Sequence, residues 1–371
     1  MKNYKSLIFK ILKNGGIFAI LIVFTFYFVF KDMNLKNVID TISKTNAFYL
    51  FIGVLCMCVF LSCEAINFKR NLKILGYDTS FFKCINYSIN GFFFSSITPS
   101  ASGGQPMQVY TMYKDDIKIS HSTLVLFIEF IFFQTTTIMY AIIGYFGQYK
   151  LLSSNINAFK YLFIIGFVCN FTMLVIILLI LFNSKGVLKV IDILARFLRF
   201  CKLKNVDVIE EKVKSVIEEY QECSHYIVKH KIIVLKTFIT KCVQIFAFHS
   251  IPYWIYLSFG FDEYSIFTFV GTQAVLFIAV SALPLPGAVG ASESGFFTIF
   301  KLLFSISVIN EAMLLSRGIS FYLFVFLSGL FLLVKWIIET NEKKKLQRKK
   351  NLENLPERIE VKSVRKIGID I

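Results

Sequence analysis

Two short stretches rich in proline and glycine interrupt apolar segments in opposite halves of the chain. They are residues 98–106 (Thr-Pro-Ser-Ala-Ser-Gly-Gly-Gln-Pro) and 283–290 (Leu-Pro-Leu-Pro-Gly-Ala-Val-Gly). Proline lacks the backbone donor that a helix needs and glycine loosens the helix, so a membrane segment that carries both breaks there. Unpaired backbone at membrane depth is tolerated only inside protein or along a polar cavity. A matched pair of breaks therefore predicts a transporter with inverted repeats and a substrate site near the bilayer midplane.

The composition indicates a membrane protein. The chain has 371 residues, of which 56% are apolar, and its mean hydropathy is +0.65, whereas a soluble domain is about 45–50% apolar. Several apolar runs approach or exceed the roughly 20 residues that cross a hydrocarbon core. We therefore predict an all-α polytopic membrane protein with about six spanning helices, at 16–30, 47–66, 121–147, 159–182, 232–258 and 311–338.

The basic residues predict the orientation of these spans. Of the 40 Lys and Arg residues, 31 lie in segments on one side of the predicted spans and five on the other. The excess of Lys and Arg marks the cytoplasmic side, which predicts a multi-pass protein of the cell membrane with both termini in the cytoplasm. The same assignment makes the segment 84–113 enter and leave from the cytoplasm, and the segment 266–304 enter and leave from outside.

Each broken segment is accordingly predicted to be a re-entrant hairpin, and the hairpins belong to two repeats of opposite orientation. Repeat one covers about 47–147 and repeat two about 232–338, within a membrane domain at 1–340. This is the inverted repeat that many transporters share. The rival interpretation makes 266–283 a full span and 294–308 another short one, and charge alone does not exclude it.

Two cytoplasmic segments are expected to touch anionic lipids of the inner leaflet. The loop 183–231 carries amphipathic helical patterns, and the tail 341–371 carries clustered lysines and arginines. Such segments are attracted to anionic headgroups. The net charge of +16 is explained by the excess of Lys and Arg on the cytoplasmic side of the membrane, so nucleic acid is not expected as a partner.

Charged residues within apolar runs are the candidates for function, because a charge at the centre of a membrane helix costs about 2.5–3.5 kcal/mol. Arg317 suits phosphate through its flat bidentate fork, and Glu293 follows the second break. Glu64 is expected near the inner boundary. Helices that restart after each break present free N–H groups to an anion. The predicted substrate-binding residues are Arg317, Glu293, Glu129, Gly103, Gly104, Gln105, Pro106, Gly287 and Gly290.

A structural ion pair that holds the repeat together is the alternative interpretation of Arg317 and Glu293. The sequence contains no nucleotide-binding Gly-rich loop, no nucleophile elbow and no His-Glu-x-x-His. We therefore predict neither a catalytic residue nor a cofactor or metal site. The lipid substrate, the coupling ion and the oligomeric state stay open.

At these residues the chain resembles the flippase-like membrane domain of the lysylphosphatidylglycerol synthase (phosphatidylglycerol lysyltransferase) family. The resemblance covers roughly 45–335. The motifs that carry it are Thr98-Pro99-Ser100 with Gly103-Gly104-x-Pro106, Glu129, Leu283-Pro-Leu-Pro-Gly287 with Gly290 and Glu293-x-Gly295, and Arg317. The chain departs from the family at Gln105, where an acidic residue is common, and at Phe130, where an arginine often follows the glutamate.

The resemblance implies a membrane domain that moves a phospholipid, for example an aminoacylated one, between leaflets. Full-length relatives add a cytoplasmic domain that makes this lipid from aminoacyl-tRNA. Only about 33 residues follow the last predicted span, so we expect a membrane domain without that enzyme. The alternatives are a phosphatidylglycerol lysyltransferase or its membrane subunit, with cationic-peptide resistance as the outcome and tRNA as a partner at loop 183–231, and a scaffold for envelope enzymes.

Overall fold

The fold was analysed in a computed structural model, which describes residues 42–149, 157–182, 184–200, 207, 210–211, 229–281, 283 and 285–353. Within these residues all regular structure is helical. The α-helices are α1 (Ala47–Ile74), α2 (Phe81–Ile97), α3 (Gly104–Lys114), α4 (Ile119–Gly147), α5 (Asn157–Phe182), α6 (Ser184–Phe200), α7 (Lys231–Ser258), α8 (Ile266–Ser281), α9 (Ala291–Phe300), α10 (Ile309–Arg317) and α11 (Leu323–Glu353). Two 3₁₀ turns, Pro99–Ala101 and Pro286–Ala288, and one π-helical turn, Gly318–Tyr322, lie between them.

Five helical segments are long and apolar enough to cross a membrane. They are Ala47–Ile74, Ile119–Gly147, Tyr161–Leu179, Lys231–Ser258 and Ile309–Glu342. They overlap five of the six predicted spans, and the polytopic all-α prediction is confirmed. The predicted span 16–30 lies outside the described residues. The first of the five continues eight residues beyond its predicted end at 66, because the basic segment after it prolongs the helix rather than ending it.

Helices α1 and α7 pack side by side in opposite directions. At one end of the pair, the Asn46 N–H donates to the Ser258 carbonyl at 2.9 Å. At the other end, the Asn67 side-chain amide donates to the Thr237 carbonyl at 3.3 Å. The Asn46 side chain also caps α1 by accepting from the Phe48 N–H at 3.0 Å, as asparagine commonly does at a helix N-terminus. The first long helices of the two predicted repeats are thus antiparallel neighbours.

Each broken segment folds as a pair of helices that doubles back. Helix α2 packs against α3, and α8 packs against α9. Helix α8 has 16 residues, which is shorter than the roughly 20 residues of a membrane-spanning helix. The turn at Pro99–Ala101 lies against the turn at Pro286–Ala288. The two hairpin tips therefore meet, although they are almost 190 residues apart in sequence.

An aromatic cluster anchors the second hairpin. The Phe296 and Phe300 rings of α9 stack at a centroid distance of 4.2 Å, and Phe300 packs against Phe269 of α8 at 5.8 Å. Tyr256 of α7 lies 4.8 Å from Phe269. Aromatic contacts of this kind add to the stabilisation from burial. The cluster fixes the short helix α9 and hence the position of Glu293 near its start.

Helices α4 and α8 cross at two glycines. A Cβ atom added to Gly144 would lie 2.4 Å from the Gly271 carbonyl oxygen and 2.5 Å from its Cα. Both contacts are with backbone, which cannot move aside as a flexible side chain can. Such small residues let membrane helices approach closely.

We expect Gly144→Ala to destabilise the fold by about 1–3 kcal/mol, the usual penalty for overpacking. Gly147→Ala, in the last turn of the same helix, has no atom within 4 Å of the added Cβ and should leave stability unchanged or slightly raised. Thermal unfolding in detergent measures both. Equal melting temperatures for Gly144→Ala and the wild type would contradict the close crossing.

The cytoplasmic loop is described in part. Its first amphipathic pattern forms helix α6, as expected. The Arg199 guanidinium near the end of α6 pairs with Asp207 at 2.7 Å and also with Glu210. The second pattern, at about 208–227, lies almost entirely outside the described residues, as does the tail beyond 353. Packing divides the chain into two units at Phe326 and Leu327, and in the second unit Lys335 and Glu339 form an exposed pair.

Candidate functional site

The two hairpin tips have the same backbone conformation. In each, an extended residue precedes a proline, and the two residues after that proline are left-handed. Ser100 and Ala101 have φ of 51° and 54°, and Gly287 and Ala288 have φ of 56° and 50°. Left-handed conformations are uncommon for residues other than glycine and concentrate at functional sites. The matched geometry makes the two tips structurally equivalent turns.

At the first tip, the threonine and the glycines have packing roles. The Thr98 hydroxyl donates to the Phe94 carbonyl at 2.6 Å and accepts from the Gly103 N–H at 2.8 Å. A Cβ at Gly103 would lie 2.6 Å from Thr98 Cγ2, and one at Gly104 would lie 2.7 Å from the Gly91 carbonyl oxygen. These glycines let α3 restart directly against α2. The predicted residues Gln105 and Pro106 are exposed at the start of α3.

At the second tip, Arg317 and Glu293 come together with the backbone of the turn. Arg317 Nε donates to Glu293 Oε1 at 2.8 Å, and Arg317 Nη2 donates to the Gly287 carbonyl at 2.9 Å. The side chains of Arg317 and Glu293 are 14% and 18% exposed. One guanidinium thus ties the tip of the hairpin to the helix that follows it, through its Nε and Nη2 atoms.

Further contacts fix the same carboxylate. The Gly290 N–H donates to Glu293 Oε2 at 2.5 Å, and the Tyr322 hydroxyl donates to Glu293 Oε1 at 2.9 Å. Glu293 thereby stabilises the free N–H end of α9, as acidic residues in the first turn of a helix do. Gly290 has φ of 83°, a conformation that favours glycine.

The π-helical turn and the residue before it bring together the side chains of Arg317, Phe321 and Tyr322. The turn begins directly after Arg317, and the guanidinium carbon lies 4.5 Å from the centre of the Phe321 ring and 5.8 Å from that of Tyr322. Arginine above an aromatic face is a stabilising cation–π arrangement. A Cβ at Gly287 would lie 2.1 Å from the Phe321 ring. Isolated π turns are frequent at functional sites, and this one holds the arginine between an aromatic ring and the hairpin tip.

The structure places the third predicted charge, Glu129, in a second centre. Glu129 Oε2 lies 2.5 Å from Lys241 Nζ of α7, and the two side chains are 6% and 3% exposed. The Asn71 side-chain amide of α1 donates to Glu129 Oε1 at 3.4 Å. The contacts found for Glu129 are thus with α1 and α7, whereas Arg317 contacts Glu293 and Gly287.

Sequence reasoning missed Lys241 and Tyr322. Lys241 is one of four Lys and Arg residues that fall inside apolar runs, so the high cost of a membrane charge is the signal that singles it out. Tyr322 carries no comparable signal, because tyrosine is common in membrane helices and only the π turn brings its hydroxyl to Glu293.

Residues 14–329 match the family described as "Lysylphosphatidylglycerol synthase TM region". The chain belongs to this family. Two archaeal relatives are described as UPF0104 membrane proteins. The one from Archaeoglobus fulgidus is 23% identical over 314 residues, which cover 81% of this chain and 91% of the relative. The one from Methanocaldococcus jannaschii is 24% identical over 336 residues, which cover 85% and 94%.

Membership of the lysylphosphatidylglycerol synthase transmembrane family indicates a membrane function related to lipids. The matched region includes both hairpins and every predicted substrate-binding residue. Both charged centres and both strained turns therefore belong to the part of the chain that this family shares.

Proposed function

We propose that this protein is a lipid flippase, which moves a phospholipid between the two leaflets of the cell membrane. The observation that carries the proposal is the Arg317–Glu293 pair at the tip of a broken hairpin, in a multi-pass membrane protein of a lipid-related family. Intramembrane charges are rare and mark substrate pathways.

The proposed architecture is an inverted repeat whose hairpins enter from opposite faces, with both termini in the cytoplasm. Three observations support it. The hairpin tips share one backbone conformation, they touch each other, and the first long helices of the two repeats, α1 and α7, are antiparallel. The bias of basic residues supplies the orientation. Rocking of one repeat against the other then opens the meeting point of the tips alternately to each side.

The proposed headgroup carries both a phosphate and an amine. The hydrogen bonds that Arg317 donates to Glu293 and Gly287 come from Nε and Nη2, which leaves Nη1 to donate to a phosphate oxygen. Glu293 offers a carboxylate to an ammonium group. Because the pair is neutral as a whole, a headgroup with charges of both signs complements it better than a singly charged anion. Gln105, Pro106, Gly287 and Gly290 contribute polar backbone around this headgroup, and the acyl chains stay in the bilayer. Gly103 and Gly104 contribute by letting α3 begin close to the hairpin tip.

A leaflet-resolved assay in proteoliposomes tests this proposal. Vesicles carry a trace of acyl-labelled fluorescent phosphatidylethanolamine, and a membrane-impermeant reductant quenches only the outer leaflet. We expect the quenched fraction to rise from about one half towards completion with the protein, and to stay at about one half in protein-free vesicles. Equal quenching in both preparations would contradict flippase activity.

A phosphatidylglycerol lysyltransferase, or its membrane subunit, is the second candidate, and the description of the family favours it. Lipid extraction after expression in a host that lacks the activity separates the two. The enzyme predicts new lysyl-phosphatidylglycerol in the extract, whereas a flippase alone leaves the lipid composition unchanged.

A further inference from the structure

A second carboxylate, the half-buried Glu64 of α1, interacts with the Glu129–Lys241 pair. Each of the three residues is ten positions from an end of its helix: Glu64 from Ile74, Glu129 from Ile119 and Lys241 from Lys231. At about 1.5 Å per residue this places all three roughly 15 Å from the helix ends. The three residues therefore lie at a similar distance from the helix ends on one side of the proposed membrane domain, which in the proposed topology is the cytoplasmic side.

Among the described residues no ion pair is found for Glu64. Lys241 is the cation that interacts with Glu64, and Lys241 already pairs with Glu129. Arg70 of α1 interacts with Glu129 and donates to Asn67 Oδ1 at 2.9 Å and Thr240 Oγ1 at 3.1 Å. The titratable and charged groups around the centre are therefore Lys241 from α7, Glu129 from α4, and Arg70 and Cys63 from α1 itself.

The polar groups that interact with Glu64 from the first hairpin are neutral: the Gln108 amide of α3 and the Ser88 hydroxyl of α2. Gln108 Nε2 of α3 donates to Glu64 Oε1 at 3.1 Å. To reach α1, the Gln108 side chain passes over Gly91 of α2, where a Cβ would lie 2.0 Å from Nε2. Because Gly91 has no side chain, the Gln108 side chain can pass α2 and reach Glu64.

We propose that Glu64 is a proton-binding site that couples proton movement to motion of the first hairpin. This inference rests on the proposed flippase function. A half-buried carboxylate on an apolar membrane helix is destabilised when it has no cation of its own, and neutralisation relieves this cost, so Glu64 binds one proton from the aqueous phase and becomes a carboxylic acid. A hydrogen bond from Gln108 is stronger to the carboxylate than to the acid. Motion of α3 away from α1 therefore favours proton uptake, and its return favours release.

Infrared spectroscopy of the purified full-length protein tests the proton site without reference to lipid. Difference spectra between mildly acidic and alkaline buffer report the C=O stretch of buried carboxylic acids. We expect one such band in the wild type and in the exposed control Glu263→Gln, and its loss in Glu64→Gln. Gly91→Ala should shift the band, because the added methyl displaces the Gln108 amide. Identical spectra for the wild type, Glu64→Gln and Gly91→Ala would overturn the proposal.

A pH gradient in proteoliposomes tests the coupling. With one proton moved per lipid, a gradient of one pH unit should bias the lipid distribution between leaflets by up to about tenfold. We expect this bias with the wild type and Glu263→Gln, and none with Glu64→Gln. A wild type that moves lipid without any bias overturns the coupling and leaves the flippase standing. A wild type that moves no lipid but shows the Glu64 band refutes the flippase and leaves the proton site.

Discussion

Lipid translocation in proteoliposomes is expected to fall at least about tenfold when Arg317 is replaced by alanine. The change removes the cation from Glu293 and the donor from the Gly287 carbonyl. The headgroup phosphate then loses a hydrogen bond to a charged group, which contributes about 1.5–3 kcal/mol, and 1.4 kcal/mol corresponds to a factor of ten. The leaflet-resolved quenching rate measures the loss. Lys301→Ala is the matched control, since Lys301 is an exposed cation that follows α9 directly.

The Arg317→Lys variant tests whether the positive charge alone is sufficient for translocation or the geometry of the guanidinium is also needed. A lysine keeps the positive charge but has no fork that donates to Glu293 and Gly287 in two fixed directions at once. We therefore expect a rate between those of the wild type and Arg317→Ala. If the alanine variant flips lipid as fast as the wild type while Lys301→Ala behaves normally, Arg317 does not hold the headgroup. The structural ion pair would then be the correct interpretation of this site.

The predicted breaks and the Arg317–Glu293 pair were accessible from sequence because both follow from local chemistry. Proline and glycine act on the backbone where they stand, so both helices end close to the predicted positions, at Ile97 and Ser281. Arg317 and Glu293 are 24 residues apart in one predicted repeat, and their pairing follows from the cost of leaving either charge alone.

The Glu129–Lys241 centre was not accessible, because it depends on the register of helices that are far apart in sequence. Lys241 meets Glu129 across 112 residues, and Gln108 meets Glu64 across a third helix at Gly91. No periodicity within one helix encodes such a register. The sequence indicates that a charge inside an apolar run needs a partner of opposite charge. Only the packing of α1, α4 and α7 shows that the partner of Glu129 is Lys241.

The sequence does not distinguish between two roles of the glycines, ligand binding and close packing. Gly103 and Gly104 were predicted to expose backbone donors to a ligand, and the structure gives each of them a close-packing role against α2. Glycine serves both purposes, since it lacks the side chain that would block either one. Gly287 has both roles. Its carbonyl accepts a hydrogen bond from Arg317 Nη2, and an added Cβ would collide with the Phe321 ring.

Replacing Lys241 by methionine is expected to lower the free energy of unfolding by about 3–5 kcal/mol. It leaves the Glu129 carboxylate, which is 5% exposed, without its cation, and an uncompensated buried charge is strongly destabilising. Unfolding in detergent, followed by heat or denaturant, measures the change. Lys335→Met is the matched control, because the Lys335–Glu339 pair is 39% exposed on each side and such helix pairs contribute about 0.3–0.5 kcal/mol.

The double variant Lys241→Met/Glu129→Met should recover most of the lost stability, because apolar side chains of similar volume often replace a buried pair without cost. A double variant as unstable as Lys241→Met would instead mean that Lys241 stabilises the fold through Glu64. Adding Glu64→Gln to the double variant distinguishes the two cases. If Glu64 is a carboxylate that needs Lys241, this third change restores stability. If Glu64 already holds a proton, the third change leaves stability unaltered. The Glu129–Lys241 pair is thus tested by the free energy of unfolding, whereas the Arg317–Glu293 pair is tested by the rate of lipid translocation.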